Sequence, residues 1–314
     1  MGSALAVSIG PMGVVVEVLD VAGKILQRVS ESVERPARPK AVTAALRRGV
    51  IRALGGSRAL VATVSAANPV DRTTGELVHL PYAPFLLGPM SPARILAPLI
   101  DGPVVVDNDV NWAARAERAV RATGADNQAE DFVYLYLGEG VGCAVVADGE
   151  VRRGHRGLAG EIAYLLVRGP GGRAAPLMDV LGHLGLCHAR SSAIDVERLL
   201  EALETARVNG LAHQLAVAIS GVVDAAIAFS DPALVIVGGP WGGTSPFMRH
   251  LGTAVSQVSK STRLEAPKAG DDAALAGARA AAAQALRNEI ITARYPDHKV
   301  GGQPVVPRGR RRSQ

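Results

Sequence analysis

The sequence predicts an α/β protein built from two similar domains with a cleft between them. Three observations carry that reading. Residues 4–29 and 132–152 both read as strand, glycine turn, strand, short turn, strand, the trace of an internal duplication. The valine-rich strand at 103–107 ends in Asp107-Asn108-Asp109, from which a helix sets off. Polar residues at the carboxyl end of a parallel strand sit where open α/β sheets bind ligands. A length of 314 residues suits two domains with ample core. The expected boundaries are 1–107 for the first domain and 108–287 for the second, whose final helix is free to return to the first. Residues 288–314 are expected to form a basic, disordered tail.

In chain order, residues 4–9 and 14–19 read as strands joined by Gly10-Pro11-Met12-Gly13, and Gly23 turns into a third strand at 24–29. A helix at 39–54 ends at Gly55-Gly56, and a buried strand at 59–65 follows. The next turn carries Asn68; asparagine is the commonest non-glycine residue at positive φ, so a positive-φ turn and a plain loop asparagine are both open there. After the 103–107 strand, a helix runs through Ala113, Ala114 and Ala116 to Glu117, with Asp109 a candidate cap. The strand at 132–137 enters a turn with glycines at 138, 140 and 142, a second strand covers 141–147, and a glycine-rich turn, 154–160, closes on Glu161. Glycines so spaced let backbone N–H groups approach a polar or anionic ligand closely. Helices are expected at 195–203 and 211–229, the latter with Leu211, Leu215, Ile219, Val222, Val223 and Ala226 on one face. The strand at 234–237 ends at Gly238-Gly239. Pro240-Trp241-Gly242-Gly243 leads to a helix from about Ser245, and 271–286 is an alanine-rich last helix.

Composition narrows the class. Aromatic residues make up 4%, so the core is aliphatic. Two cysteines, Cys143 and Cys187, offer no disulfide framework, which suits a reducing cytoplasm. No apolar run reads as approaching the ~20 residues of a membrane span, and residues 1–7 lack the charged start and long apolar core of a signal peptide. A cytoplasmic protein without membrane contact is expected. The net charge of +5 belongs to the tail, where Arg294, Lys299, Arg308, Arg310, Arg311 and Arg312 stand against Asp297. Such an end reads as solvated and disordered, with weak non-specific attraction to nucleic acid as the alternative.

The order strand, Asn108-Asp109, helix, then strand, Gly138-x-Gly140-x-Gly142, strand, then Ala159-Gly160-Glu161-Ile162 resembles the ROK family of bacterial sugar kinases and sugar-responsive repressors. Val70-Asp71 with Gly75-Glu76-Leu77 resembles the family's substrate-domain turn, and 231–239 resembles the strand and loop under adenosine in its kinases. The likeness runs from about residue 4 to residue 286. It implies an actin/hexokinase-like (ribonuclease H-like) fold, a cytoplasmic dimer or tetramer, and a sugar or sugar derivative held by Asn68, Asn108, Asp109, Glu161 and Tyr164. In a kinase Asp109 would be the base that accepts the proton of the attacking hydroxyl. Gly138, Gly140, Gly142, Gly238 and Gly239 would then be the nucleotide loops, here vestigial.

The departures from the family pattern are as informative. The first phosphate loop has Ser8 for its aspartate, Pro11 for a glycine and Met12 for its threonine. Glu139 replaces the threonine of the second loop. Two like charges ~4 Å apart repel by about 1 kcal/mol in water and ~4 kcal/mol at an effective dielectric of 20, so Glu139 opposes ATP phosphates. Tyr82 stands where sugar-binding members often have asparagine, and Tyr164 replaces the histidine that opens the family's zinc site. Only Cys187, between His183 and His188, remains of a metal run, so zinc is not expected. These departures predict a regulator-type protein that binds a sugar without phosphorylating it and needs no cofactor. With the first strand starting by Ala4, the chain is expected to carry no helix-turn-helix and to make no specific DNA contact. The alternative is a glucokinase-like, magnesium-ATP-dependent sugar kinase with Asp109 as base. An interaction or assembly module that binds no sugar is the third reading.

Overall fold

The computed structural model describes residues 2–81, 85–86, 88–123, 130–204, 208–256 and 262–294. Tyr82 and the tail beyond Arg294 lie outside these residues. The first half contains β1 (Ala4–Gly10), β2 (Gly13–Leu19), β3 (Ile25–Glu31), α1 (Pro39–Leu54), β4 (Val61–Ala66), α2 (Pro92–Leu96) and β5 (Val104–Asn108). The second contains α3 (Asp109–Ala122), β6 (Phe132–Leu137), β7 (Val141–Ala147), β8 (Glu150–Val151), β9 (Leu166–Arg168), β10 (Ala174–Pro176), α4 (Leu177–His183), α5 (Val196–Glu204), α6 (Val208–Ser230), β11 (Leu234–Gly238), α7 (Ser245–Ser256), β12 (Arg263–Glu265) and α8 (Ala273–Arg294).

The duplication read from sequence is visible in the strand order. The first sheet runs β3-β2-β1-β4-β5 and the second, read from its hairpin edge, β8-β7-β6-β11-β12. In both, the first three strands are antiparallel neighbours and the last two add in parallel. Every residue of β4 is buried, as expected for a parallel strand covered on both faces. In contrast β3 sits at the edge and exposes most of its side chains. Helix α1 starts with proline in its first turn and stops at Gly55, whose left-handed backbone (φ 56°) lets its N–H bond to Ile51 O.

Each sheet has its own aliphatic core. One gathers Leu5, Val7, Val16, Leu46, Val64 and Leu96. The other gathers Leu135, Leu181, Leu215, Ile219, Val237 and Trp241. The last helix crosses back. Leu275, Ala282 and Leu286 of α8 pack on Ala4, Ala6, Leu19 and Val61 of the first sheet. The same helix reaches Glu17 on β2, where Arg279 donates to both carboxylate oxygens at 2.7 and 3.1 Å.

Several expectations are corrected here. Helix α8 continues to Arg294, so residues 288–294 extend the last helix instead of opening the tail. The strand expected at 59–65 begins at Val61, with Ala59 making only an isolated bridge to Ile100. After Glu161 the chain forms a small β9–β10 hairpin and α4. Contrary to the expectation that no apolar run approaches a membrane span, the stretch Gly210–Ser230, mean hydropathy 1.6, is long and apolar enough to cross a membrane by length and composition. Its apolar stripe, Leu215, Ile219, Val222 and Val223, is buried in the second core, as in the core helix of a packed domain.

Candidate functional site

The carboxyl ends of β4 and β5, the turn between β1 and β2 and the turn between β6 and β7 converge on one cavity of about 310 Å³. Its polar wall is Asn108, Asp109, Glu139, Glu161 and Tyr164, and its apolar wall includes Met12, Leu80, Phe85, Val110, Met178 and Val196. Both halves of the chain therefore contribute.

Local structure explains why the polar residues point here. Asn108 closes β5 in extended conformation and caps α3, its Oδ1 accepting from Val110 N at 3.0 Å. Its Nδ2 donates to Ala66 O at 3.3 Å, so each end of the amide is anchored once and keeps one further position for a ligand. The cap is thus Asn108, not Asp109 as expected. Asp109 is the first helical residue, and its Oδ1 also accepts from Val110 N, at 2.8 Å. Burial, only partly offset by these bonds, pushes the Asp109 carboxyl up to about 6. Glu161 is presented by a turn that only glycine can make. At Gly160 (φ 93°) a Cβ would lie 1.8 Å from Cys143 O, and the Gly160 carbonyl accepts from Cys143 N at 3.1 Å. Burial first, and the charge of Asp109 second, push the Glu161 carboxyl up to about 7. Tyr164 follows in a short 3-10 turn and is 41% exposed.

The fifth expected sugar contact is not in the cavity wall. Asn68 is 1% exposed and turns its Nδ2 onto Val78 O at 3.3 Å. Nor does it take a positive φ, which among the described non-glycine residues is found at Asp148, Arg190 and Asp231. A proline follows it and holds the preceding residue extended, which overrides the asparagine preference.

Of the expected nucleotide glycines, Gly140 and Gly142 line the cavity. Gly138, Gly238 and Gly239 lie behind it and pack the two turns together. A Cβ on Gly239 would be 2.4 Å from Leu137 O and one on Gly238 2.6 Å from the Tyr134 hydroxyl. Fully buried Trp241 seals the seam, donating Nε1–H to Gly138 O at 3.0 Å and meeting Phe247 edge-on at 5.4 Å.

Glu139 is not the bare charge assumed from sequence. Arg35 donates to it twice, at 2.8 and 3.0 Å, and donates twice more to Pro11 O, at 3.2 and 3.1 Å. Nothing local in the sequence pairs residues 104 positions apart. The opposite seam is also basic. Asp107 binds Arg115 at 2.7 Å and Arg153 at 3.3 Å, Arg72 donates to Gly154 O at 2.7 Å, and Arg156 reaches Asp71 at 3.4 Å. Among the described residues no group of three or more His, Cys, Asp or Glu side chains is placed to hold a metal ion. His188 instead meets Asp195 at 3.5 Å, and His183 bonds the Asp179 carbonyl at 2.6 Å.

A sheet topology used twice around a shared polar cavity defines an α/β protein of the actin-like, hexokinase-like class. The chain belongs to the ROK family, whose pattern matches residues 4–190. It is 29% identical over 194 residues to the bifunctional enzyme NanE/NanK of Brucella suis, covering 59% of this chain and 35% of that one. It is 28% identical over 165 residues to a glucokinase of Streptomyces coelicolor, covering 52% and 50%. The chain thus matches about a third to a half of the length of these curated relatives. A ROK family glucokinase from Streptomyces griseus, solved with glucose and AMPPNP, shares the fold with a TM-score of 0.66 at 23% identity over 90% of this chain and 100% of that one. A ROK family transcriptional regulator, a homolog of the E. coli MLC protein, superposes with a TM-score of 0.71 at 15% identity over 93% and 80%.

Proposed function

We propose that this chain binds a sugar or sugar derivative in the cleft and does not phosphorylate it. The observation that carries the reading is the convergence of Asn108, Asp109, Glu161 and Tyr164 on one half-apolar cavity. Its volume, about 310 Å³, suits a monosaccharide. Carboxylates and an amide accept and donate to neighbouring hydroxyls, while Phe85, Met178 and Val196 face the ring's C–H surface. A relative solved with glucose and AMPPNP is of the same family. Against phosphoryl transfer stand three features of the phosphate side. Ser8 brings no carboxylate, Pro11 has no N–H to donate and its carbonyl already accepts from Arg35. Trp241 closes the space beneath the glycine turn. The residues on that side do not fit a nucleotide polyphosphate.

One observation favours the kinase reading. A buried carboxyl raised to about 6 is well tuned for a general base near neutral pH, and Asp109 begins the helix at the cavity wall. The test is thermal unfolding against hexoses, amino sugars and sugar phosphates, each with and without magnesium-ATP. A ligand at 100 times its dissociation constant adds about 2.7 kcal/mol, which at roughly 2–4 °C per kcal/mol raises the midpoint by several degrees. Stabilisation by a sugar without ADP release is the expected result. ADP release that disappears in Asp109→Asn would make the chain a kinase, and no response to any sugar would leave an assembly module.

A further inference from the structure

Arg35 lies in the connection between β3 and α1, in the first half, yet two of its hydrogen bonds cross to the second. Its Nε and Nη2 donate to Pro11 O in the β1–β2 turn at 3.2 and 3.1 Å. Its Nη1 and Nη2 donate to Glu139 Oε2 and Oε1 in the β6–β7 turn at 2.8 and 3.0 Å. The second pair is the bidentate, two-point geometry that arginine makes with carboxylates and lysine cannot. Pro11, Met12, Glu139 and Gly140 all line the cavity. The bridge therefore spans the mouth of the site, between the two turns that would otherwise face a ligand's phosphates.

We infer that Arg35 and Glu139 form a clasp across the cleft mouth that holds the two halves together without any ligand and gates access to the cavity. The pair neutralises the one carboxylate nearest the mouth and at the same time draws the second sheet's turn toward the first. With side chains 45% and 27% exposed, it is close enough to water to open readily and to respond to salt. A fully buried pair would be a fixed joint; this one is a latch. The inference does not depend on what the cavity binds.

Cys143 supplies a reporter that needs no ligand. It lines the cavity, is 7% exposed, and burial pushes its thiol up to about 12. Iodoacetamide, small and uncharged, should reach it only when the cleft opens. The experiment measures the rate of Cys143 modification in a Cys187→Ser background, for the parent chain, Arg35→Ala, Glu139→Gln and the reversed pair Arg35→Glu with Glu139→Arg. Each single variant should raise the rate about fivefold, the size expected for an ion pair this exposed. The reversed pair should fall back toward the parent rate. About 1 M sodium chloride should accelerate the parent chain and leave the single variants nearly unchanged. Equal rates in the parent and both single variants, or a reversed pair as fast as the singles, would overturn the clasp. Should a variant fail to fold, the salt response of the parent chain decides by itself: no acceleration rejects the latch. Loss of sugar binding with an intact clasp signature would reject the proposed function alone.

Discussion

Asp109 and Glu161 face a cavity whose described lining contains no lysine, arginine or histidine, and burial raises both carboxyls, to about 6 and about 7. In the unfolded chain both ionise near 4. Between about pH 4 and pH 7 the folded protein therefore holds protons that the unfolded chain has released, and these two groups make stability fall as pH rises through that window. Below it their contribution is fully present. Replacing both by their amides, Asp109→Asn with Glu161→Gln, should flatten the difference in unfolding midpoint across pH 4–7 relative to the parent chain. A pH profile that runs parallel in the two proteins would mean the carboxyls are solvated and ordinary. Asp71 works in the opposite direction: backbone N–H groups of Thr74 and Thr73, at 3.0 and 2.8 Å, hold its carboxyl below the usual range. It supports the fold above its unfolded value and loses that role in acid.

At the scale of single elements, α8 is defined by how closely it approaches α3. A Cβ added to Gly277 would lie 2.1 Å from the backbone oxygen of Trp112. In an isolated helix Gly→Ala gains about 1 kcal/mol. Here the backbone obstacle cannot rotate away, and overpacking of this kind costs ~1–3 kcal/mol. Gly277→Ala should therefore destabilise by about 1–2 kcal/mol in denaturant titration. Gly252, inside α7, has nothing within 4 Å of the added Cβ, so Gly252→Ala should stabilise by up to ~1 kcal/mol. The same substitution thus changes sign with the space around it. Glu117 is the partner anchor on α3: fully buried, it accepts from Arg121 Nε at 2.9 Å and from Ala269 N at 2.7 Å, fixing the loop that leads into α8.

For the whole molecule the question is what ties the two sheets together. Three joints do so. The clasp at the mouth is exposed, and the arginine-rich seam around Asp107 is half-buried. The return of α8 to the first sheet is anchored by Glu17, fully buried between Arg279 and Arg28. Removing one partner of a buried carboxylate typically costs ~3–5 kcal/mol because the charge is left without compensation. Arg28 remains, so Arg279→Met should cost roughly 2–3 kcal/mol. Replacing Glu17 by leucine in the same chain should restore a large part of it. If Arg279→Met unfolds at the parent denaturant concentration, α8 is held by its apolar face alone.

The sequence by itself determined the duplicated α/β topology, because strand and turn signals are local and occur twice in the same order. The family resemblance of its motifs also implied Asn108, Asp109, Glu161 and Tyr164 as sugar contacts, and all four stand in the cavity wall. Asn108 and Asp109 both suit a cap by residue type, and only the extended backbone of Asn108 decides that it, not Asp109, caps α3. The backbone of Asn68 is governed by the Pro69 that follows it, and its amide turns to Val78 O, away from the cavity wall. What only the tertiary structure decided is everything that depends on distant partners. The Arg35–Glu139 pair spans 104 positions and turns an apparently repelling carboxylate into half of a bridge. Trp241 under Gly138 and Arg279 on Glu17 span 103 and 262. Pairings of that range are set by how the two sheets pack, and no local pattern of residue types encodes which charge will meet which.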